Sequence, residues 1–257
     1  MKNKISAVIN TYNAEKDLEQ VLTALEAFDE IVVCDMESTD ATRPIAQRHG
    51  CKIVTFPRGQ HRIVEPARNF AISQASSPWV LVVDADEIVT DELRQYLYQR
   101  LEEPDPPAGF FIPRHNMFMG QFLGKRGTDH QLRFFKRQGL YWPETIHSVP
   151  HVEGRIEKIP SNDRNIQLVH LADETMAESF EKYNRYTSYE VIKKQHKHYS
   201  TLALVYRPLW RFLRSYLLKG DVWRGRRGLL HSLMAGLYQF MLVSKIIEKE
   251  LKEEPQK

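Results

Sequence analysis

Cysteine is scarce in this sequence, with Cys34 and Cys51 the only two among 257 residues. Two cysteines supply neither a disulfide framework nor the paired spacing of a zinc site. Each lies on or beside a predicted buried strand, where we expect a small apolar filler. This cysteine content is typical of a reducing compartment, and we predict a cytoplasmic location.

Glycine-rich phosphate cradles are missing as well. No G-x-G-x-x-G follows the first predicted strand, and no G-x-x-x-x-G-K-[ST] occurs anywhere. The sequence also lacks internal repeats and a recognisable RNA- or DNA-binding module, so we expect no nucleic-acid partner. If a nucleotide binds here, its phosphates must rest mainly on something other than a glycine-rich loop.

The net charge of +3 conceals an uneven distribution of charge along the chain. Residues 1–110 contain 11 Lys and Arg against 18 Asp and Glu, a net charge of −7. Residues 182–227 contain 12 against 2, a net charge of +10. This contrast predicts a mildly acidic catalytic half and a basic half that attracts anions.

Hydrophobic periodicity predicts an α/β fold. Over the first hundred residues short apolar runs alternate with helical spacing, which is typical of parallel strands joined by right-handed crossovers. Gly50 is the predicted stop of the second helix, and Thr90 is the predicted N-cap of the fourth. We predict strands at 4–9, 31–34, 52–56 and 79–83, with helices at 14–27, 38–49, 65–75 and 90–101.

Beyond a proline-rich break at 102–109 the pattern is mixed. Three apolar stretches are predicted to be strands without obvious crossover helices, at 110–113, 131–136 and 166–170. Helical spacing then dominates, and we predict helices at 174–197, 208–218 and 227–252.

Three carboxylates crowd the end of the fourth predicted strand. The apolar run 79–83 leads directly into Asp84, Asp86 and Glu87. Such a charge cluster needs a compensating cation, and two aspartates one residue apart can share Mg²⁺ or Mn²⁺. Because these ions complete their shell with water and phosphate oxygens, we predict a substrate that carries a diphosphate. A solvated surface loop is the alternative.

Polar residues follow the other predicted strands at the same edge of the sheet. Thr11, Tyr12 and Asn13 come after the first strand, and Asp35 ends the second. Ligands of parallel sheets bind beyond the carboxyl ends of the strands, so we predict one binding site at this edge. Asp35 could instead cap the second helix, because aspartate is common at strand-to-helix turns.

The order of these motifs resembles the family 2 glycosyltransferases with a GT-A fold, in particular bacterial lipopolysaccharide-core glucosyltransferases. The resemblance implies an inverting, metal-dependent enzyme that moves a hexose, with glucose the best guess, from a UDP-sugar to a lipid-linked or lipopolysaccharide-type saccharide. It is carried by VINTYN (8–13), VVCD (32–35), STD (38–40), ARN (67–69), VDADE (83–87), LRFFKR (132–137), GLYW (139–142), LVH (168–170) and the basic segment 206–216.

The resemblance also implies roles on the donor side of the site. Thr11 and Tyr12 would border the uracil of the UDP-sugar, and Asn13 is grouped with them as a donor-binding residue. Asp35 would accept the imide N–H of the base. Arg68 would lie near the base or the phosphates, although on its own it could equally be a surface charge of a helix.

Metal-side roles follow in the same way. Asp84 would face the ribose and the metal, Asp86 would be the principal metal carboxylate, and His170 would be a further ligand. Imidazole is accepted more readily by manganese than by magnesium, which favours Mn²⁺. Arg133 would either anchor a strand edge or bind the donor's phosphates. A hydrogen-bonded structural histidine is the alternative for His170.

The catalytic base is where the sequence departs from the family pattern. Relatives often carry His-Glu where this chain has His147 and Ser148, and serine cannot accept the proton at neutral pH. The candidates are therefore Asp129, which we favour slightly, Glu144 and His147.

The resemblance implies a nucleotide-sugar-binding half at 1–105, an acceptor-side and metal-completing half at 106–173, and a basic helical extension at 174–257. In the extension, Arg207, Arg211 and Arg214 recur on one helical face, and Trp210, Leu213 and Leu217 occupy another. This division suits an anionic membrane surface, so we expect peripheral attachment to the inner face of the cytoplasmic membrane. The alternative is that these helices pack on the catalytic domain.

Two other functions compete with glycosyl transfer. Phosphatases of the haloacid dehalogenase type also place D-x-D after an apolar strand, but they need the first aspartate near the start of the chain. A non-catalytic, membrane-associated scaffold would explain the absence of glutamate at Ser148.

Overall fold

The computed structural model describes residues 3–59, 61, 64–123, 128–144, 148–171, 175–194 and 196–253. The chain forms two compact units. The first comprises Met1–Met117 with Gln121–Ala172, and the second comprises Phe118–Gly120 with Asp173–Lys257. The division of the catalytic part at residue 105 stays a prediction.

The first unit is built on one mixed sheet. Its described strands are β1 (Ile5–Thr11), β2 (Glu30–Asp35), β3 (Lys52–Thr55), β4 (Trp79–Asp84), β5 (Glu87–Val89), β6 (Gly109–Phe118), β7 (Gln121–Phe122), β8 (Thr128–Lys136), β9 (Ile156–Lys158) and β10 (Leu168–His170). They run in the order β3-β2-β1-β4-β8-β6-β10-β5, with β7 and β9 paired to β6. Strands β1 to β4 are parallel and β8 is antiparallel to both neighbours, which confirms the predicted change from a parallel to a mixed pattern.

Helices cover both faces of this sheet, which is why the parallel strands are continuous apolar runs. In β1, Ile5, Ala7 and Ile9 join one buried cluster and Val8 joins the other. The N-cap at Thr90 is confirmed, because its hydroxyl accepts the Leu93 N–H at 3.3 Å. The helices of this unit are α1 (Glu15–Thr23), α2 (Thr42–Arg48), α3 (Glu65–Ser73) and α4 (Asp91–Leu101).

The sheet curls so that its two distant parts meet. β4 and β5 are separated by three strands in the sheet order, yet only Ala85 and Asp86 lie between them in the chain. The N–H of Asp84, at the end of β4, donates to the Glu87 carboxylate at the start of β5 (3.0 Å). His170 of β10 pairs with Glu87 on one side and with Asn116 of β6 on the other. The D-A-D-E turn therefore lies against β10.

The second unit is helical, with α5 (Met176–Lys193), α6 (Ala203–Leu213) and α7 (Gly225–Glu253). A π-helical turn at Arg214–Leu218 and a 3₁₀ turn at Asp221–Arg224 lie between α6 and α7. The prediction that the middle helix begins at Pro208 is wrong, because α6 begins at Ala203 and contains the proline. A proline removes one backbone donor, and the residues before it continue the helix.

A buried carboxylate joins the turns of the second unit to α7. Asp221 is fully buried. Burial alone would raise its pKa, but the hydrogen bonds that it accepts hold the pKa below the usual value. A side chain at Gly228 would collide with the Asp221 carbonyl, because a Cβ there would lie 1.8 Å from that oxygen. The donors to the Asp221 carboxylate are Ser215 (2.7 Å), His231 (2.8 Å), Ser232 (2.9 Å) and Arg224.

Candidate active site

Strand register brings the predicted polar residues of the first unit to one edge. Across the parallel strands, Asn10 of β1 is paired with Asp84 of β4. On the other side of β1, Thr11 is paired with Asp35 of β2. The carboxyl ends of these three strands therefore lie side by side, where ligands of parallel sheets bind.

Asp35 is fully buried at this edge. Its carboxylate accepts from the Thr11 hydroxyl at 3.4 Å and forms an ion pair with Arg43 at 3.1 Å. It does not cap α2, because that helix begins at Thr42, whose N–H donates to Asp40 at 3.0 Å. The structure thus removes the helix-cap alternative for Asp35, while its contact with a nucleotide base stays a prediction.

Tyr12 and Asn13 have different surroundings in the loop after β1. The Arg58 guanidinium lies 3.4 Å from the centre of the Tyr12 ring, so the ring is stacked. Asn13 has a φ of +48°, and its side-chain oxygen accepts the Thr39 N–H at 2.8 Å. Its own N–H donates to Ser38 at 2.9 Å. Asn13 therefore ties this loop to the loop after β2, and its contact with the donor stays a prediction.

Asp84 is held by two arginines. Arg68 of α3 donates to one carboxylate oxygen at 3.0 Å, and Arg133 of β8 pairs with the other. Burial would raise the pKa of Asp84, but the two guanidinium groups outweigh it and hold the pKa well below the usual value. Sequence reasoning expected Asp84 and Asp86 to face one divalent ion; Asp84 instead has two protein cations as its counter-charges.

Glu87 is the third carboxylate of the turn and is fully buried. It accepts from Arg114 of β6 at 3.1 Å and from Arg133 at 3.5 Å. Sequence reasoning placed Glu87 in the carboxylate cluster but assigned it no role. A buried charge is tolerated only when it is paired, so Glu87 and its arginines hold the turn to β6 and β8.

Asp86 and His170 form a separate pair. The Asp86 side chain is 40% exposed, and its carboxylate lies 3.2 Å from Nε2 of His170. On the other side of the ring, Nδ1 lies 2.9 Å from the side-chain oxygen of Asn116. Burial would lower the pKa of His170, but the hydrogen bond and charge of Asp86 outweigh it and raise the pKa.

This pair can supply two ligands to a divalent ion. No cluster of three or more His, Cys, Asp or Glu side chains with metal-binding geometry is found among the residues described. Two protein ligands nevertheless suit Mg²⁺ or Mn²⁺, which take further ligands from water and phosphate. The partly exposed Asp86 carboxylate and Nε2 of His170 are the donor atoms that fit such an ion.

Buried guanidinium N–H groups indicate that an anion can bind beside this pair. Nε and Nη1 of Arg68 and Nε of Arg133 have no hydrogen-bond acceptor among the described residues. A buried donor without a partner costs about 1–3 kcal/mol, so a bound anion beside Asp84 would be stabilised. The Arg68 guanidinium also lies over the Trp142 ring, 4.6 Å from its centre.

Asp129 does not have the surroundings of a general base. Arg114 donates to both of its carboxylate oxygens, at 3.1 and 2.8 Å, and Gln131 donates at 3.0 Å. Burial would raise the pKa of Asp129, but the bonds and charge of Arg114 outweigh it and lower the pKa. The preference for Asp129 as base is therefore not supported by its surroundings, because a base needs a free oxygen and a pKa near the working pH.

Glu144 lies on a segment anchored beside Arg68. The Asn69 side chain exchanges two hydrogen bonds with the backbone of Trp142, at 2.7 and 2.9 Å. Ser148 accepts from the Trp142 indole at 3.0 Å and donates to the Pro143 carbonyl at 2.6 Å, so it holds this segment together. The Glu144 side chain is exposed. The remaining base candidate, His147, lies outside the described residues.

Comparison with known proteins decides the family. The model of glycosyl transferase family 2 matches residues 6–158, more than half of the chain. The chain belongs to glycosyl transferase family 2. It is therefore a glycosyltransferase, and the phosphatase and scaffold alternatives are set aside.

Individual family members cover almost the whole chain. The chain is 29% identical over 265 residues to the lipopolysaccharide core biosynthesis glycosyltransferase LpsC of Rhizobium meliloti, covering 99% of this chain and 96% of that protein. S. aureus TarS 1–349 in complex with UDP is similar at 15% identity with a TM-score of 0.51, covering 99% and 93%. The mannosyltransferase PcManGT of Pyrobaculum calidifontis, in complex with GDP-Man and Mn²⁺, is similar at 14% identity with a TM-score of 0.53, covering 96% and 88%. These two structures confirm the GT-A fold.

Several residues of this family 2 site were not found from the sequence. Arg114 and Asn116 follow the predicted strand 110–113 and were assigned no function, and Arg43 was assigned none either. Of these residues, Glu87 alone could have been found from the sequence, because it is the third carboxylate within four positions.

The contrast between Glu87 and Asp86 is testable. Glu87→Gln leaves buried guanidinium charge uncompensated, and we expect a loss of about 3 kcal/mol and a fall in Tm of roughly 6–12 °C. Asp86→Asn removes a partly exposed pair, and we expect a change in Tm below about 4 °C. Thermal unfolding followed by circular dichroism checks both variants. Equal shifts in Tm would show that Glu87 has no special structural role.

Proposed function

We propose that this protein is an inverting glycosyltransferase that moves a hexose, glucose in our proposal, from a UDP-sugar to a lipopolysaccharide-core or other lipid-linked saccharide. The observation that carries the proposal is the pairing of Asp86 with His170 beside an Asp84 that is neutralised by arginines. The similarity to LpsC along the whole chain supports the acceptor class. The similarity of the fold to a UDP-bound structure supports the donor.

The reaction proposed for this site is a direct displacement at the anomeric carbon. The acceptor hydroxyl oxygen forms a bond to that carbon as the bond to the diphosphate oxygen breaks, and UDP leaves with the electron pair. The proton of the acceptor hydroxyl passes to a base on the protein. The stereochemistry at the anomeric carbon inverts because attack and departure occur on opposite faces.

The protein's own groups would hold the donor. The N–H groups of Arg68 and Arg133 that have no acceptor in the described part of the chain would donate to the diphosphate, and Asp35 would accept from the uracil. Asp86 and His170 would hold a divalent ion, with manganese favoured by the imidazole. When bound, that ion would stabilise the negative charge that develops on the diphosphate and so make UDP a better leaving group.

Glu144 is the base that we propose. It is an exposed carboxylate two residues from Trp142, which contacts Arg68. Unlike Asp129, it is paired with no arginine among the residues that the structure describes, so we propose that its carboxylate is available to an acceptor hydroxyl. Ser148 has a structural role in the same segment, which explains how the chain can do without glutamate at that position.

The second unit carries an apolar surface that suits a membrane. Leu202, Val205, Tyr206, Leu209 and Trp210 follow helical spacing, and each is more than 50% exposed. Trp223, in the 3₁₀ turn, is 88% exposed. Large exposed apolar patches on soluble proteins mark interaction sites, and exposed tryptophan is typical of the membrane interface. We refer to the five residues with helical spacing, from Leu202 to Trp210, as the apolar face, and Trp223 is a further exposed apolar residue of the same unit.

Exposed cations on neighbouring segments give this surface its preference for an anionic membrane. They are Arg211, Arg214, Lys219, Arg226 and Arg227. Arg207, which the sequence placed with Arg211 and Arg214, is instead stacked on Tyr199, with its guanidinium 4.7 Å from the ring centre. By length and composition alone, the helical stretch Asp221–Glu253 could also cross a membrane. We propose peripheral docking through the apolar face, because small and polar residues such as Ser232, Gly236 and Gln239 occupy one side of α7 and are buried.

Donor and metal dependence are tested by calorimetry with UDP and Mn²⁺. We expect UDP to bind more tightly with Mn²⁺ than without it, and Asp86→Ala to weaken that binding by at least about 100-fold, the upper range for losing a supporting residue of a metal site. Asp91→Ala, which removes an exposed carboxylate, is the control. UDP binding that is independent of metal and survives in Asp86→Ala would contradict the assignment.

Glu144 is tested by transfer of labelled glucose from UDP-glucose to lipopolysaccharide with a truncated core. We expect Glu144→Gln to lower kcat by about 10²–10⁴-fold, the usual contribution of a general base, with UDP binding unchanged. Glu153→Gln, another exposed glutamate, is the matched control. Full activity in Glu144→Gln would show that Glu144 is not the general base, and His147 would remain as the candidate for that role.

Membrane docking is tested by sedimentation with vesicles that contain anionic lipid. We expect Trp210→Ala with Trp223→Ala to weaken binding at least about tenfold, because each buried aromatic contributes about 1.5–3 kcal/mol. Arg211→Gln with Arg214→Gln should reduce the salt-sensitive part of the free energy of vesicle binding, by about 1 kcal/mol for each charge removed. Leu251→Ala is the control, because Leu251 is 62% exposed but lies near the end of α7, about 40 Å from its start. Wild-type protein that stays in the supernatant at low salt would contradict docking.

A further inference from the structure

A chain of polar contacts runs from Arg114 to the pair of Asp86 and His170. Arg114 holds the Asp129 carboxylate, and an interaction with the Asn116 side chain contributes to the lowered pKa of Asp129. The oxygen of that Asn116 amide lies 2.9 Å from Nδ1 of His170. The elements of this chain are neighbours by register, because Asn116 is paired with His170 across β6 and β10 and Arg114 is paired with Asp129 across β6 and β8.

The chemistry of each group fixes the direction of every bond in this chain. The amide oxygen of Asn116 lies 2.9 Å from Nδ1 of His170 and can only accept. The group that donates to it must therefore be an Nδ1–H of the imidazole, so Asn116 determines which ring nitrogen of His170 carries a proton. An ionised carboxylate can only accept, so Asp129 interacts favourably with the NH₂ group of Asn116 and supports the same amide orientation.

We propose that Asn116 is a positioning residue that keeps a proton on Nδ1 of His170 and so leaves Nε2, the atom that faces Asp86, to bind a metal ion. This inference rests on the proposed role of His170 as a ligand. Histidine ligands in proteins commonly donate their second ring nitrogen to such a partner, which fixes the tautomer and the ring orientation. It also gives Asp129 a role: Asp129 helps to orient Asn116 and is not the catalytic base.

The tautomer can be measured without any metal. We suggest nitrogen-15 NMR of labelled histidine in full-length Asp86→Ala protein, at a pH where the ring is neutral, because this variant removes the competing acceptor at Nε2. We expect the His170 proton on Nδ1. In Asp86→Ala with Asn116→Leu, the ring should return to the Nε2–H form that predominates in water. Asn116→Asp keeps an acceptor and should keep Nδ1–H. A proton on Nε2 while Asn116 is intact would overturn the proposal.

Metal affinity provides a second measurement with a matched control. In the presence of UDP, we expect Asn116→Leu to weaken Mn²⁺ binding by about 10–100-fold, as is usual when the supporting partner of a ligand is lost. Gln131→Leu is the control, because Gln131 donates to the Asp129 carboxylate at 3.0 Å and the substitution leaves the Asn116 side chain itself unchanged. Equal effects of the two variants would show that Asn116 only supports Asp129, and would overturn the proposal.

Combination with His170→Ala separates this inference from the proposed function. If Asn116 acts through His170, then Asn116→Leu should weaken Mn²⁺ binding no further in the His170→Ala background. A full additional loss in that background would overturn the proposal. If the wild-type protein binds no Mn²⁺ with UDP, the proposed function fails, and the NMR measurement still decides whether Asn116 sets the tautomer of His170.

Discussion

Neutralisation of buried carboxylates by arginine is the interaction on which the rest of this site depends. Asp84 and Glu87 lie at the two ends of a turn that joins distant parts of a curled sheet. Arg133 pairs with both of them, while Arg68 and Arg114 each pair with one. Two strands, β6 and β8, and one helix, α3, are thereby fixed around the turn. Such pairs are costly to break singly, because the remaining charge is left without a partner.

This arrangement divides the three carboxylates between two tasks. Asp84 and Glu87 are paired with arginines and stabilise the fold. Asp86, the third carboxylate, is partly exposed and paired with His170, so it is the one that can bind a ligand. The D-x-D pattern therefore does not act here as a symmetric pair. Arg68 and Arg133 also carry buried N–H groups that have no acceptor among the described residues, so these two side chains both hold the turn and offer donors to an anion. Structure and proposed chemistry share the same residues.

The sequence allowed the parallel half of the fold to be predicted, because strands buried on both faces are continuous apolar runs with helical spacing between them. The D-A-D-E cluster could be recognised because it directly follows one of these apolar runs. The counter-charges could not be predicted, since Arg133 of β8 and Arg114 of β6 reach Asp84 and Glu87 only through the register of β4, β6 and β8. Register is a non-local property. The sequence therefore led to a metal as counter-charge for Asp84, where the structure has arginine.

The most direct test is a crystal structure of the protein with UDP and Mn²⁺. The division of tasks predicts the ion at the Asp86 carboxylate and Nε2 of His170, with Asp84 still paired to Arg68 and Arg133. Diphosphate oxygens are expected within hydrogen-bond distance of these guanidinium groups. An ion bound by Asp84 with both arginines displaced, or nucleotide bound with no ion beside Asp86, would contradict this description of the site.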